Sequence, residues 1–420
     1  MKRMSLTLLL LVIIASIASA QYDSKYSYYN GLALVKKNNK YGYIDRNGKE
    51  VVGPMYSNAH SFHEGLAAVL NFNNKWGYIN TKGDWAIPAI YEEAMWFSEE
   101  LAGVKNDKGL WGFVDKKGNL VIEHKYPDVG TTNIKKSHFT GFYNGCINAS
   151  KDGKWGLINK KEQAIIPFNY SFVASPRQDG TVIISNNPLG SALEGIADTK
   201  GNILVAPIYE EVDIPSEGLI AVKSPLTNYK GLWGYVDMQG KEVIAPKYKL
   251  ASRFSEGCAL VSTTSDRFGE MFIDKTGNIV LKSAYQLYGP FNSGLALVKD
   301  KELYGYINKK GALEIPIKYH SANNFDDGLA IVQNSSRYGI INTKDRTVVE
   351  FLYWRIYRFS DGLAAVQADD SKWGFVNRKG KMEIKPRFDK VYPFYNGKAD
   401  VTQNGFDFVI NKDGEDITSY

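Results

Sequence analysis

An acid or its amide recurs at Asp45, Asn80, Asp115, Asn159, Asp198, Asp237, Asp274, Asn308, Asn342, Asn377 and Asn411. Nine of these eleven residues have glycine three positions later. A carboxylate repeated beside a glycine turn raises the question of calcium, whose loops gather several oxygen ligands at close spacing. Here the intervening residues are often lysine, as in Asp115-Lys116-Lys117-Gly118, and those cations repel a metal ion. The same residues suit a tight turn: the Asp or Asn oxygen caps it, and glycine takes its left-handed position. Glu162 and Asp345 replace that glycine and are expected to carry positive φ at some strain. His60 and His63, beside Glu64, could meet a metal if the segment were helical, but it reads as a loop and no further ligand recurs nearby. Acid pairs such as Glu92-Glu93, Glu99-Glu100 and Glu210-Glu211 are neighbours in sequence, whereas glycoside hydrolysis needs carboxylates opposed across a cleft. There is no Gly-x-Ser-x-Gly elbow, no phosphate loop and no plausible Cys–His pair. The expectation is a protein without catalytic, cofactor-binding or metal-binding residues.

Aromatic side chains are the remaining candidates. Trp76, Trp111, Trp155, Trp233 and Trp373 share one place in a recurring pattern and read as core. Trp85, Trp96 and Trp354 lie outside that place. Exposed aromatic rings stack on sugars or anchor protein partners, so these three are the candidate ligand-binding residues.

The elements that must position them follow from the spacing. Gaps between the markers are 35, 35, 44, 39, 39, 37, 34, 34, 35 and 34 residues, a period typical of repeat architectures. The units open on an aromatic residue with glycine three positions on, as in Phe62/Gly65, Phe291/Gly294 and Phe394/Gly397, with Glu100 at the glycine place after Phe97. A run of small apolar residues follows (Leu66-Ala67-Ala68-Val69), then an aromatic–glycine run (Trp76-Gly77-Tyr78-Ile79). After the turn comes a third run containing Pro and ending in Tyr or Phe, as in Ile87-Pro88-Ala89-Ile90-Tyr91. Alternation with β-branched and aromatic residues predicts strands. The glycine after Trp is expected to lie beneath a packed ring, since a bare glycine weakens a strand. The Pro is expected to end the third strand.

These units resemble the bacterial WG (KWG) repeat family. Lys-Trp-Gly stands at Lys75–Gly77, Lys154–Gly156 and Lys372–Gly374, and Tyr replaces Trp at Tyr41, Tyr304 and Tyr338. Two units depart: Leu193-Glu194-Gly195 lacks the aromatic, and Phe268-Gly269 is out of register with Asp274. The resemblance covers nearly the whole chain after residue 20 and implies an all-β tandem repeat, with no catalytic residues.

A three-stranded antiparallel unit of this length cannot bury enough surface alone, because ordering each residue costs about 1–2 kcal/mol. Neighbours must share a core, giving about ten units and a degenerate eleventh in residues 21–420. We expect an open, curved or superhelical stack, with one or two β-propeller-like rings as the alternative. The irregular units near 127–270 carry extra residues around Pro127–Thr140, Ser185–Leu193 and Ser224–Lys230. Residues 1–20 have Lys2 and Arg3, an apolar run and Ala18-Ser19-Ala20, which predicts a signal peptide and export to the periplasm, cell surface or medium. No later run is long enough to span a bilayer. The net charge of +6 is interleaved in sign, with no basic tract to serve a nucleic acid, and points only weakly to an anionic partner such as a polysaccharide or envelope lipid. Cys146 and Cys258 occupy equivalent slots three units apart and are expected to be buried free thiols. The expected function is a non-catalytic scaffold for a protein partner, possibly at the cell envelope, with a cell-surface glycan as the alternative ligand.

Overall fold

A computed structural model describes residues 22–45, 48–130, 141–186, 193–225, 231–265 and 270–417. Residues 1–20, most of the three central insertions, and Phe268-Gly269 lie outside the described residues. The described residues form eleven small antiparallel sheets in sequence order, and no helix occurs among them. No helix there is long and apolar enough to cross a membrane. The described residues fall into two compact bodies that divide after Ala89.

The repeat unit has four strands, where three were expected. In the sixth sheet these are Glu211–Val212, Leu219–Lys223, Trp233–Asp237 and Glu242–Tyr248, paired in that order. The extra strand is Ser24–Tyr29 in the first sheet and, in the other four-stranded sheets, a two-residue segment following the outer strand of the preceding sheet. Nine sheets have four strands, which is the blade-like unit of the propeller alternative. The fourth sheet has three strands, yet Val129 bridges Ala149 where the short strand would lie. The eleventh has three because the marker turn is followed by only a bridge, Ile410 to Asp416.

The glycine after Trp has a different cause from the one expected. In the sixth sheet Trp233 pairs with Tyr248 and Tyr235 with Ile244, so three residues of the outer strand bulge past Gly234. A Cβ on Gly234 would lie 2.5 Å from the Ile244 carbonyl oxygen and 2.7 Å from the Pro246 nitrogen. Backbone, not an aromatic ring, covers the glycine; rings of Phe168 and Phe351 join it only at Gly156 and Gly339. The Pro sits inside this bulge, and the strand continues through it to Tyr248. A proline is tolerated there because the strand is an edge. The seventh sheet supplies the control. Met271 stands at the glycine place, and the outer strand Ile279–Lys282 pairs with it without the bulge.

Neighbouring sheets share their cores through one recurring device. In several units the opening Phe packs on the second aromatic of the unit before it: Phe254 on Tyr235 at 4.9 Å, Phe325 on Tyr306 at 4.7 Å, Phe394 on Phe375 at 4.9 Å. The buried Tyr hydroxyls donate across the same joint, Tyr235 to the Ser252 carbonyl at 2.7 Å and Tyr306 to the Asn323 carbonyl at 2.6 Å. Serines add a second bond, Ser255 to the Phe291 carbonyl at 2.7 Å and Ser360 to the Phe394 carbonyl at 2.6 Å.

The Asp/Asn turns form as expected. In the ten turns from Asn80 onward, one side-chain oxygen accepts the N–H groups two and four residues on, as Asn377 does from Lys379 at 2.9 Å and Lys381 at 3.1 Å. The turn glycine is required by contact as well as by φ: a Cβ on Gly240 (φ +75) would meet the Leu204 carbonyl of the preceding sheet at 2.9 Å. Glu162 and Asp345 do adopt positive φ, 64° and 59°. Both put their side chains to use. Asp345 accepts from Tyr319 and Lys318 of the sheet before it, each at 2.5 Å, and Glu162 takes Tyr126 at 2.8 Å together with Lys125.

This latch has a testable pH signature. Burial raises the Glu162 carboxyl, but bonds from Lys125 and Tyr126 outweigh it and hold the group below the ordinary value of 4.5. A depressed folded pKa gives stability that is full above the unfolded value and lost as pH falls through the folded one. Glu162→Gln should therefore flatten the acid limb of the stability curve below pH 4.5, read from thermal melts on either side of that pH. An unchanged acid limb would remove the carboxylate from the joint.

Candidate ligand-binding surface

The outer strand of each sheet leaves one edge of its ladder unpaired. In Trp85–Tyr91 the burial pattern places only Ile87 and Tyr91 fully inside. The first and sixth positions of this strand point away from the core and should be polar. Many are not. Trp85, Leu120, Ile203 and Leu313 are exposed at the first position, and Met55, Ile90, Ile208 and Leu352 at the sixth. Leu352 is 63% exposed. Exposed edges are an aggregation liability unless blunted, and the Pro-containing bulge does this in most sheets. Outward apolar side chains thus recur at these two places in several sheets, whereas Lys125, Lys247 and Lys318 take the sixth place in others. The sequence signal was present but unread: an apolar residue just before the inward Tyr breaks the alternation.

The three candidate tryptophans occupy three different places in the repeat. Trp85 opens an outer strand, is 47% exposed, and meets the ring of Tyr56 edge-on at 6.0 Å. Trp96 precedes the core residue Phe97 and is half-buried. Trp354 lies between an outer strand and the next short strand, and is 45% exposed. The Arg337 guanidinium covers one face of its ring at 3.8 Å, donates to the Leu352 carbonyl at 3.4 Å, and pairs with Asp369. Stacking of this kind is worth about 0.5–1 kcal/mol at an exposed site. The tryptophans are therefore not a repeated platform. Of the motif tryptophans, Trp76, Trp111, Trp155 and Trp373 are buried, and Trp233 is half-buried.

Other candidate chemistry is taken up by structure. His60 stacks on Trp76 at 4.9 Å and His63 on Tyr29 at 5.2 Å, and burial lowers the pKa of both. Among the described residues no group of three His, Cys, Asp or Glu is placed to hold a metal ion. The acid pairs face lysines: Glu93 meets Lys105 at 2.8 Å, Glu99 meets Lys160 at 3.1 Å, and Glu210 and Glu211 share Lys223 at 3.2 and 3.1 Å. Cys146 is buried, whereas Cys258 is only half-buried; both are free thiols whose pKa burial pushes up. A pocket of about 20 Å³ between Asn324, Leu329, Arg358 and Phe359 has room for one water molecule.

The family model described as WG containing repeat matches residues 16–41, 41–76, 76–109, 111–133, 155–187, 195–224, 233–263, 271–304, 304–337, 338–371 and 373–405. No curated protein matches the chain. Among solved structures the chain is similar to the computationally designed Ika8 protein, at 10% identity and TM-score 0.31, covering 76% of this chain and 95% of that one. It is also similar to the extracellular domain of a putative hybrid two-component system from B. thetaiotaomicron. That match has 11% identity and TM-score 0.28, covering 93% of this chain and 63% of the other. A third is PorZ, a surface component of the type-IX secretion system of Porphyromonas gingivalis, at 9% identity and TM-score 0.24, covering 96% and 70%.

Proposed function

Because the chain belongs to the WG containing repeat family, we propose that it is a non-catalytic scaffold, exported through residues 1–20, that binds a protein partner at the cell envelope. The observation that carries this reading is the recurrence of exposed apolar residues on outer strands, with Ile208 and Leu352 at equivalent places in two sheets. A few fully desolvated side chains near the centre of an interface carry most of the binding energy of a typical protein contact. The absence of opposed, unpaired carboxylates among the acid pairs supports a binding role over a hydrolytic one.

The test is photo-crosslinking from the exposed outer-strand positions 203 and 313 in cells, followed by identification of the adduct. A discrete adduct that disappears in the double variant Ile208→Asp/Leu352→Asp is expected. A chain that forms no adduct, or one that is unaffected by the double variant, would count against the outer strands as the docking surface. The glycan alternative is favoured by the exposure of Trp85 and Trp354. It predicts glycan binding that drops about tenfold or more in Trp85→Ala/Trp96→Ala/Trp354→Ala, since stacking on one ring contributes about 1–3 kcal/mol. Glycan binding that survives the triple variant would dismiss those residues.

A further inference from the structure

The Asp/Asn turns of the eighth, ninth and tenth sheets carry a second, chemically different surface. The turns are 308–312, 342–346 and 377–381. Their cations divide into two sets. Lys309 pairs with Glu256 at 3.4 Å and Arg378 with Asp327 at 2.8 Å, each reaching the sheet before its own. Lys344 pairs with Glu314 at 3.2 Å and Lys381 with Glu383 at 3.1 Å. Lys310, Arg346 and Lys379 remain: all three are exposed, and none has an ion pair among the described residues. The marker residues here are the neutral Asn308, Asn342 and Asn377, whereas the third, fifth, sixth and seventh sheets carry Asp115, Asp198, Asp237 and Asp274. The one acid inside these three turns, Asp345, is taken by Lys318 and Tyr319.

We propose that this end of the eighth to tenth sheets docks a linear acidic polysaccharide. Lys310 and Lys379 stand two residues after their marker Asn, and Arg346 four residues after its own. Each turn is closed by its Asn oxygen, and each turn is seated on the sheet before it: Gly311 against Leu281 and Gly380 against the Val348 carbonyl. Adjoining sheets share cores, so successive turns follow at the sheet-to-sheet spacing of ~10 Å. A single exposed charge attracts an anion only weakly in water, so useful affinity needs several contacts on one ligand. A polymer bearing an anion at regular intervals provides them; a compact anion does not. The turn sequences Asn-Lys-Lys-Gly-Ala, Asn-Thr-Lys-Asp-Arg and Asn-Arg-Lys-Gly-Lys contain no aromatic residue on which a base could stack. They contain no large apolar residue to enter a lipid interface either. The occupant those features favour is an acidic glycan. This surface uses none of the outer-strand residues, so it stands or falls separately from the protein-docking reading.

The test measures binding of the purified chain to polygalacturonate at low salt. It compares Lys310→Gln/Arg346→Gln/Lys379→Gln with a control that removes the same charge elsewhere, Lys301→Gln/Lys385→Gln/Lys390→Gln. Binding by the first variant should weaken by about tenfold or more, with a shallower dependence of affinity on salt, while the control changes it by less than about twofold. Circular dichroism confirms that both variants fold. Equal losses in the two variants would reduce the effect to net charge and overturn the proposal. So would no binding by the unmodified chain, or competition by a single-stranded oligonucleotide as effective as polygalacturonate itself.

Discussion

Gly234→Ala should destabilise the sixth sheet by about 3 kcal/mol, the cost of forcing volume into a site that cannot relax. The added methyl group would meet the Ile244 carbonyl oxygen and the Pro246 nitrogen, and both belong to backbone pinned by the pairing of Trp233 with Tyr248. A flexible side chain could swing away; a bulged strand whose two ends are hydrogen-bonded cannot. Gly218 in the same sheet is the matched control. Its φ is +83°, but a Cβ there meets nothing within 4 Å. Gly218→Ala should cost only the left-handed backbone penalty of about 1–2 kcal/mol. Urea denaturation gives the two differences, and hydrogen exchange at Trp233–Asp237 locates the first. Equal effects at the two positions would mean that the bulge does not explain the glycine.

Phe325→Ala should cost about 3–5 kcal/mol, as emptying a packed aromatic site does. Phe325 is 3% exposed and lies on Tyr306, which has no exposure at all. Because the ring spans two sheets, exchange protection should fall in both Leu303–Asn308 and Leu329–Asn334. Tyr306→Phe keeps the packing and loses only the hydroxyl bond to Asn323, at a cost of about 1 kcal/mol. The chain already makes that substitution: Phe113 and Phe375 stand at the same place and pack on Phe142 and Phe394. Loss of protection confined to the ninth sheet would show that the joint does not couple its neighbours.

The repeat was legible because its strongest marks are local. A capping Asn or Asp with a left-handed residue three places on is a turn wherever it occurs, and even Glu162 and Asp345 keep the geometry. The fourth strand was not legible. Asn58-Ala59, Glu93-Ala94 and Ser321-Ala322 are two residues long, too short to show alternation, and they form strands only because a neighbour offers an edge. The glycine after Trp was recognised as needing a cause, but the cause is a backbone-on-backbone approach set by three residues facing one, which no residue type announces. The three off-motif tryptophans stood out by chemistry alone. Leu352 and Ile208, which the structure leaves more exposed than Trp85 or Trp354, look in sequence like ordinary strand residues.

The joints between sheets join segments that are near each other in the chain. Tyr306 reaches 17 residues forward to Asn323, Ser360 reaches 34 to Phe394, and even the long Lys309–Glu256 tie spans 53. Every such tie can close once the following unit has been made, without waiting for the far terminus. A polypeptide built this way can condense vectorially, one blade locking onto the last as it emerges from a ribosome or a translocation pore. Each locked blade then makes backward slippage harder, so that the order of synthesis doubles as the order of assembly.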